Sequence, residues 1–262
     1  MRHYTLITGA SSGIGLALAE ALARRGRHLI LVARQRDALH CIACELTQRF
    51  GVEVLFRVCN LSEPLQLSGL LHELEQGEWP IDLLVNNAGQ GSCGPFLERD
   101  WGREQQLLEV NILALTRLCH AIGNAMAQQG GGQILNVAAL AAFQSGPWMS
   151  SYCASKAFVL HFSEGLREEL KGAGIKVSVL CPGPTYTAFW RTAGIKTASV
   201  GPSKSMMSAE ALALLAVRAL DKNQAVIIPG WRNQLQTLVA RLTPRWLMRK
   251  LSATRNQSLI WP

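Results

Sequence analysis

The sequence predicts an α/β fold: a doubly wound parallel sheet of about seven strands with helices on both faces. Three observations carry this. Short apolar runs alternate with longer segments of helical period nearly to the C-terminus, which is the rhythm of βαβ units. Several runs are almost wholly apolar, as in strands covered on both faces. A glycine-rich turn, Thr8-Gly9-Ala10-Ser11-Ser12-Gly13-Ile14-Gly15, follows the first run and opens the first helical segment.

In chain order, strands are predicted over Tyr4 to Thr8, His28 to Ala33, Val52 to Val58, Ile81 to Val85, Gly132 to Val137, Ile175 to Leu180 and Ala225 to Ile228. Helical periodicity fills the gaps, over Ile14 to Arg25, Arg36 to Phe50, Pro64 to Gln76, Trp101 to Gln129, Ser151 to Lys171 and Ala209 to Leu220. No low-complexity linker interrupts the order. The 262 residues are therefore read as one domain, with a substrate-side loop and helix region over 185–208 and a basic amphipathic tail over 231–262.

A composition of 48% hydrophobic and 17% charged residues excludes disorder, collagen and coiled coil. The longest apolar runs, Val137 to Phe143 and Ala211 to Val217, fall far short of the roughly 20 residues that span a bilayer. The opening MRHYTLITGA merges at once into the first strand, so no export signal is expected. Seven cysteines, an odd number, then fit a reduced, cytoplasmic setting. Cys41 and Cys44 form a lone CxxC on a helical segment; without a second CxxC or a His pair it is read as structural, and no metal site is expected. The net charge is +8, and its distribution is uneven. Six basic residues and no acid lie between Asn223 and Pro262, which leaves 20 of the 26 basic residues against all 18 acids in the rest of the chain.

A strand, a glycine turn and a helix at the start of such a chain form a site for a diphosphate. Glycines permit a tight turn and close backbone approach, and the helix N-terminus offers free N–H groups and the positive end of its dipole. The backbone of Gly9, Ser11, Ser12, Gly13, Ile14 and Gly15 is the candidate cradle, against the alternative of a plain structural turn. The spacing is GxxxGxG. At the end of the second strand, where an acid would bind ribose hydroxyls, stands Arg34. A guanidinium suits a 2′-phosphate, so NADP(H) is expected over NAD(H); the alternative is that Arg34 and Arg36 are solvated charges at a helix start.

With Asn86-Asn87-Ala88-Gly89 after the fourth strand, Asn111 in the next helix, Tyr152-Cys153-Ala154-Ser155-Lys156, and Pro182-Gly183-Pro184-Thr185-Tyr186-Thr187 after the sixth strand, the chain resembles the classical short-chain dehydrogenase/reductase family over essentially its whole length. The resemblance implies a Rossmann-type domain that binds a nicotinamide cofactor, and a homodimer or homotetramer. It also implies cofactor contacts from Asn60, Leu61, Asn87, Ala88, Gly89, Tyr152, Lys156, Pro182, Gly183, Thr185 and Thr187.

Tyr152 and Lys156 lie at i and i+4 on one helix and share a face. A phenol with a pKa near 10 exchanges protons poorly at neutral pH unless its anion is stabilised. An ammonium about 4 Å away contributes roughly 4 kcal/mol at an effective dielectric of 20, before desolvation opposes it. By resemblance, Tyr152 exchanges a proton with the substrate oxygen as hydride passes to or from the nicotinamide, Lys156 also holds the ribose, and Asn111 supports a proton relay. The chain departs from the pattern at Ala139, thirteen residues before the tyrosine, where the family carries its catalytic serine. Alanine cannot donate to the developing oxyanion, and losing one such donor slows other enzymes about 10²- to 10³-fold. Ser145, Ser150 and Ser151 stand nearby at other offsets. At Asn60 the family commonly has an aspartate; an amide oxygen can still accept that hydrogen bond.

Substrates of such folds sit beyond the carboxyl ends of the strands. Gln90 to Phe96, Phe143 to Ser150 and Thr185 to Val200 bring Cys93, Phe96, Phe143, Trp148, Met149, Phe189 and Trp190 there, a lining that fits a small apolar carbonyl or alcohol. In the tail, Leu235, Leu238, Val239 and Leu242 form a helical stripe. It is read as packing on its own domain or on a partner subunit in preference to lying on an anionic membrane or covering the substrate mouth. No nucleic-acid recognition motif accompanies the basic charge. Two functions remain: an NADP(H)-dependent oxidoreductase interconverting a carbonyl and an alcohol, favoured by Tyr152, Lys156 and Asn111, and a cofactor-binding protein of low turnover acting as a sensor or assembly component, favoured by Ala139.

Overall fold

The computed structural model describes residues 2–185, 189, 193–195 and 206–257, without the side chain of Arg255. Seven strands, β1 (Tyr4–Thr8), β2 (His28–Ala33), β3 (Val54–Val58), β4 (Ile81–Asn86), β5 (Gly132–Val137), β6 (Ile175–Leu180) and β7 (Val226–Ile227), form one sheet in the order β3-β2-β1-β4-β5-β6-β7. Every pairing is parallel. The chain winds outward from β1 through β2 to β3, then returns to place β4 on the other side of β1. That reversal opens a crevice at the carboxyl ends of β1 and β4, where doubly wound sheets bind ligands.

Two apolar layers flank the sheet. On one face α1 (Gly13–Ala23), α2 (Arg36–Phe50) and α7 (Ala209–Asp221) supply Leu18, Leu22, Leu39, Leu46, Leu212 and Val217. On the other, α3 (Pro64–Gln76), α5 (Leu115–Gln128) and α6 (Ser150–Glu169) supply Leu67, Leu70, Leu118, Met126, Val159 and Leu160. Residues of β2 alternate between these layers, which is why the strand reads as a continuous apolar run. A third, smaller cluster of Leu107, Ala139, Met149, Tyr152, Cys153, Ala193 and Ile195 lies at the carboxyl end of the sheet.

Departures from the expected elements have local causes. β3 begins at Val54, two residues late, because α2 ends on Gly51 in the left-handed region (φ 66°) and the chain must first turn. β7 keeps two residues and is followed by Pro229, which has no N–H to extend a ladder. The long helix expected over Trp101 to Gln129 is broken into α4 (Trp101–Leu108), a π-helical turn (Glu109–Ala114) and α5. Such turns are rare and frequent at functional sites, and Asn111 stands inside this one.

The tail forms α8 (Trp231–Leu242) and α9 (Arg245–Gln257), separated at Pro244. α8 does pack on its own domain, against the 3₁₀ turn Leu140–Phe143, with the Arg241 guanidinium 5.5 Å from the Phe143 ring centre. Its orientation is the reverse of the expected one. Thr237 is buried, whereas the stripe of Leu235, Leu238, Val239 and Leu242 faces outward. Asn233 and Thr237 tie the polar side to neighbouring carbonyls, Asn233 Nδ2 donating to Pro229 O (2.6 Å) and Thr237 Oγ1 to Gln234 O (2.7 Å).

Candidate active site

The glycine turn after β1 is held by its neighbours. Gly9 adopts φ 65°, and a Cβ on it would come within 2.9 Å of Ala88 Cα; a Cβ on Gly15 would collide with the Gly9 carbonyl. The Asn86–Gly89 segment is stitched to this turn by one threonine and one asparagine. Thr8 Oγ1 accepts from the N–H groups of Asn87 (3.1 Å) and Ala88 (3.0 Å). Asn87 Nδ2 donates to Thr8 O (3.0 Å) and Gly9 O (3.2 Å). The two motifs are thus one rigid floor.

A cavity of about 540 Å³ runs over this floor. At one end are Gly9, Ser11, Ser12, Gly13, Ile14 and Arg34, then Asn60, Leu61, Asn87, Ala88 and Gly89; at the other are Ala139, Tyr152, Lys156, Pro182, Gly183 and Thr185. Of the expected cofactor residues, Gly15 does not line it and serves helix packing instead, and Thr187 lies outside the described residues. Arg34 is exposed and makes no ion pair among the described residues. Asn60 departs from expectation: its Oδ1 already accepts from Ser62 Oγ (2.9 Å) and Ser62 N (3.3 Å). The acceptor expected there is engaged in its own turn.

Tyr152 and Lys156 project from the first turns of α6 and are both buried. Lys156 Nζ donates to Val137 O (2.9 Å) and lies 6.0 Å from the Tyr152 ring centre. A Cβ on Gly89 would lie 3.3 Å from Lys156 Nζ and 3.4 Å from Asn111 Oδ1, so both polar atoms converge on one small space. Burial pushes the Tyr152 phenol well above its ordinary value, with Cys153 adding to the rise. That corrects the expectation that Lys156 lowers it. Desolvation dominates because both groups leave water together. Burial also brings Lys156 down to about 8, with Cys181 opposing.

Asn111 does not line the cavity. Its Nδ2 donates to Gln90 O and to Ser155 Oγ, both at 2.9 Å, and its Oδ1 accepts from Gln90 N (2.8 Å). Ser155 Oγ in turn donates to Tyr152 O (2.7 Å). With both amide protons engaged, the Asn111 side chain positions the loop after β4 and the helical turn that carries the tyrosine.

Ala139 lines the cavity, as its place in the motif requires, and Ser145, Ser150 and Ser151 do not. Ser151 donates to the buried carboxylate of Glu104 instead. Among the expected substrate-side residues Met149 and Phe189 line the cavity, and the Phe189 ring centre is 5.3 Å from that of Tyr152. Cys93, Phe96, Phe143 and Trp148 do not, and Trp190 lies outside the described residues. Of the amides that line it, sequence reasoning places Gln90 and Gln144 within its substrate-side segments without singling them out, and does not name Gln236 or Asn256. Gln236 and Asn256 come from α8 and α9, whose polar side carried no signal in an apolar stripe facing the other way. The exposed Cys41 and Cys44 belong to no metal-binding group among the described residues.

Sequence and structure comparisons agree with this geometry. The model of the family described as short chain dehydrogenase matches residues 3–197. The 1-deoxy-11-beta-hydroxypentalenate dehydrogenase of Streptomyces exfoliatus is 34% identical over 260 residues, 98% of this chain and 93% of that protein. A short-chain dehydrogenase from Sphingobium yanoikuyae, solved in complex with NADPH, superposes with a TM-score of 0.83 at 35% identity, covering 91% of this chain and 93% of that one. The bulky-bulky ketone specific alcohol dehydrogenase of Comamonas testosteroni superposes at 0.77 with 31% identity, covering 97% and 92%. Some relatives are longer, and the chain spans 32% of the probable oxidoreductase EphD of Mycobacterium tuberculosis. The parallel sheet, the ordered motifs and the match over most of the sequence lead to one conclusion: this chain belongs to the short-chain dehydrogenase family and is an oxidoreductase acting between carbonyl and alcohol.

Proposed function

We propose that this enzyme uses NADP(H) to interconvert an apolar ketone, a bulky one in place of the small one expected from the sequence, and its alcohol, the whole chain acting as one nucleotide-binding domain. The observation that carries the reading is the single cavity joining the glycine turn and Arg34 at one end to Tyr152 and Lys156 at the other. Its residues fit the cofactor: a Cβ would fill the tight turn at Gly9, free N–H groups open α1, and the exposed guanidinium of Arg34 suits a 2′-phosphate. The pocket beyond Tyr152, with Met149, Leu140 and Phe189, suits an apolar substrate. The NADPH complex and the bulky-ketone preference of the two solved relatives support both halves.

When bound, the nicotinamide supplies or accepts the hydride. In the reducing direction, the substrate carbon gains that hydride and its oxygen takes the proton from Tyr152 Oη, leaving an alcohol and a phenolate. Lys156 holds positive charge beside that phenolate, and Asn111 positions the tyrosine's turn through Ser155. Because burial raises the phenol, the resting tyrosine is a proton donor at neutral pH. A second reading, a cofactor-binding protein of low turnover, is favoured by one observation: Ala139 presents a methyl group where an oxyanion donor is expected.

The test is consumption of NADPH and of NADH with bulky apolar ketones, by the protein and its Ala139→Ser variant. NADPH-dependent turnover, raised about 10²-fold or more by serine, is the expected result. Binding of NADPH without turnover in either protein supports the second reading. Equal affinity for NADH and NADPH contradicts the cofactor assignment.

A further inference from the structure

The first of the two C-terminal helices carries its polar side inward and its apolar side outward. On α8, Trp231, Leu235, Leu238, Val239 and Leu242 share one helical stripe, and each is 52% exposed or more. On α9, Trp246 and Leu251 are also exposed. Side chains of this kind normally provide the driving force for packing, yet here Thr237 is buried and Gln236 reaches the cavity. A contiguous apolar face turned to solvent marks a surface for something else.

Charge identifies the occupant. Arg232, Arg241, Arg245, Arg249 and Lys250 are all exposed on these helices, and the sequence from Asn223 to Gln257 has no acidic residue. Guanidinium and ammonium groups lie over the rim tryptophans, Arg232 Cζ 5.4 Å from the Trp231 ring centre and Lys250 Nζ 5.7 Å from that of Trp246. A second copy seated on this face about a two-fold axis would set five cations against five. An apolar stripe flanked by cations and tryptophans matches a layer that is anionic at its surface and apolar beneath. No helix among the described residues is long and apolar enough to cross a membrane, so the association is peripheral.

We propose that α8 and α9 form a docking face for an anionic lipid surface. Gln236 and Asn256 of the same helices line the cavity, and Asn256 Nδ2 donates to Pro147 O (2.9 Å), so docking would hold α8 and α9 between the bilayer and the edge of the active site. That consequence rests on the proposed function; the docking itself does not.

Co-sedimentation of the full chain with phosphatidylcholine vesicles, with and without about 30% phosphatidylglycerol, tests it. The expected result is binding to the anionic vesicles alone, lost in Leu235→Asp/Leu238→Asp and weakened about 30-fold in Arg245→Gln/Lys250→Gln. Thermal melting checks that both variants are folded, and the second serves if the first is not. Failure of the wild-type chain to bind anionic vesicles at about 1 mM lipid overturns the proposal. So does undiminished binding by a folded variant. Dissociation of a wild-type oligomer to monomers in folded Leu235→Asp/Leu238→Asp also overturns it, by making the face a subunit contact.

Discussion

At the scale of single residues, burial sets the protonation of Tyr152 and Lys156. Tyr152 keeps its proton through neutral pH, whereas Lys156 loses its charge as pH rises through about 8. Carbonyl reduction is therefore expected to fall above about pH 8 in a pH profile of kcat/KM. Stability follows the opposite course. Between the folded value of about 8 and the ordinary 10.5, the unfolded chain binds more protons at Lys156, so the contribution of this group to stability rises with pH across that window. Lys156→Met removes the buried charge and is expected to stabilise the cofactor-free protein at pH 7 by on the order of 2 kcal/mol in chemical denaturation, while activity is lost. At the other end of the cavity, Arg34→Asp should lower NADPH affinity about 10- to 100-fold, the loss of one or two charge-assisted hydrogen bonds, and leave NADH affinity little changed. Most residues of this site, Gln236 and Asn256 excepted, were legible in the sequence because they belong to short motifs at fixed spacing. Their electrostatics were not: a spacing of four shows that Tyr152 and Lys156 share a face, but how far both leave water depends on the packing around Met149, Cys153 and Leu107.

Individual elements explain how the site keeps its shape. The loop after β4 and the start of α6 are joined through a buried ion pair in which Arg99 Nη1 lies 3.3 Å from Glu104 Oε1. Arg99 Nη2 also donates to Gly94 O (2.6 Å) and Trp148 O (2.5 Å), and Ser151 donates to Glu104. Burial alone would raise the Glu104 carboxyl, but the hydroxyls of Ser151 and Ser92 and the Arg99 charge outweigh it and hold it below its ordinary value. Its stabilising effect is thus complete above pH 4.5, its ordinary value, and lost as pH falls through the lower folded value. Glu104→Ala leaves a buried guanidinium unpaired and is expected to destabilise by about 3 to 5 kcal/mol in urea denaturation. Neither residue stood out in the sequence, since a charge five positions from another near a helix start reads as a solvated pair. The π-helical turn was equally silent. Helical periodicity continues through Glu109–Ala114, and the extra residue in the turn is specified by Asn111 bonding to Gln90 and Ser155, contacts distant in sequence.

For the whole molecule, the order of elements was readable because apolar run lengths separate strands from helices, and the parallel sheet follows from their alternation. The tail shows where such reasoning fails. A stripe at helical spacing establishes a helix and its two faces, but the face that turns inward is decided by what the neighbouring surface offers, here a cavity edge that accepts Gln236 and Thr237. The central claim is that one cavity couples a bound NADPH to proton transfer from Tyr152. It is tested most directly by NADPH oxidation with a bulky apolar ketone in the wild-type chain and in Tyr152→Phe, with NADPH binding followed by fluorescence in both. The account predicts turnover by the wild-type protein and a loss of about 10²- to 10⁴-fold in the variant, with NADPH affinity retained. Equal turnover in the two proteins, or none in a wild-type chain that binds NADPH, would contradict it.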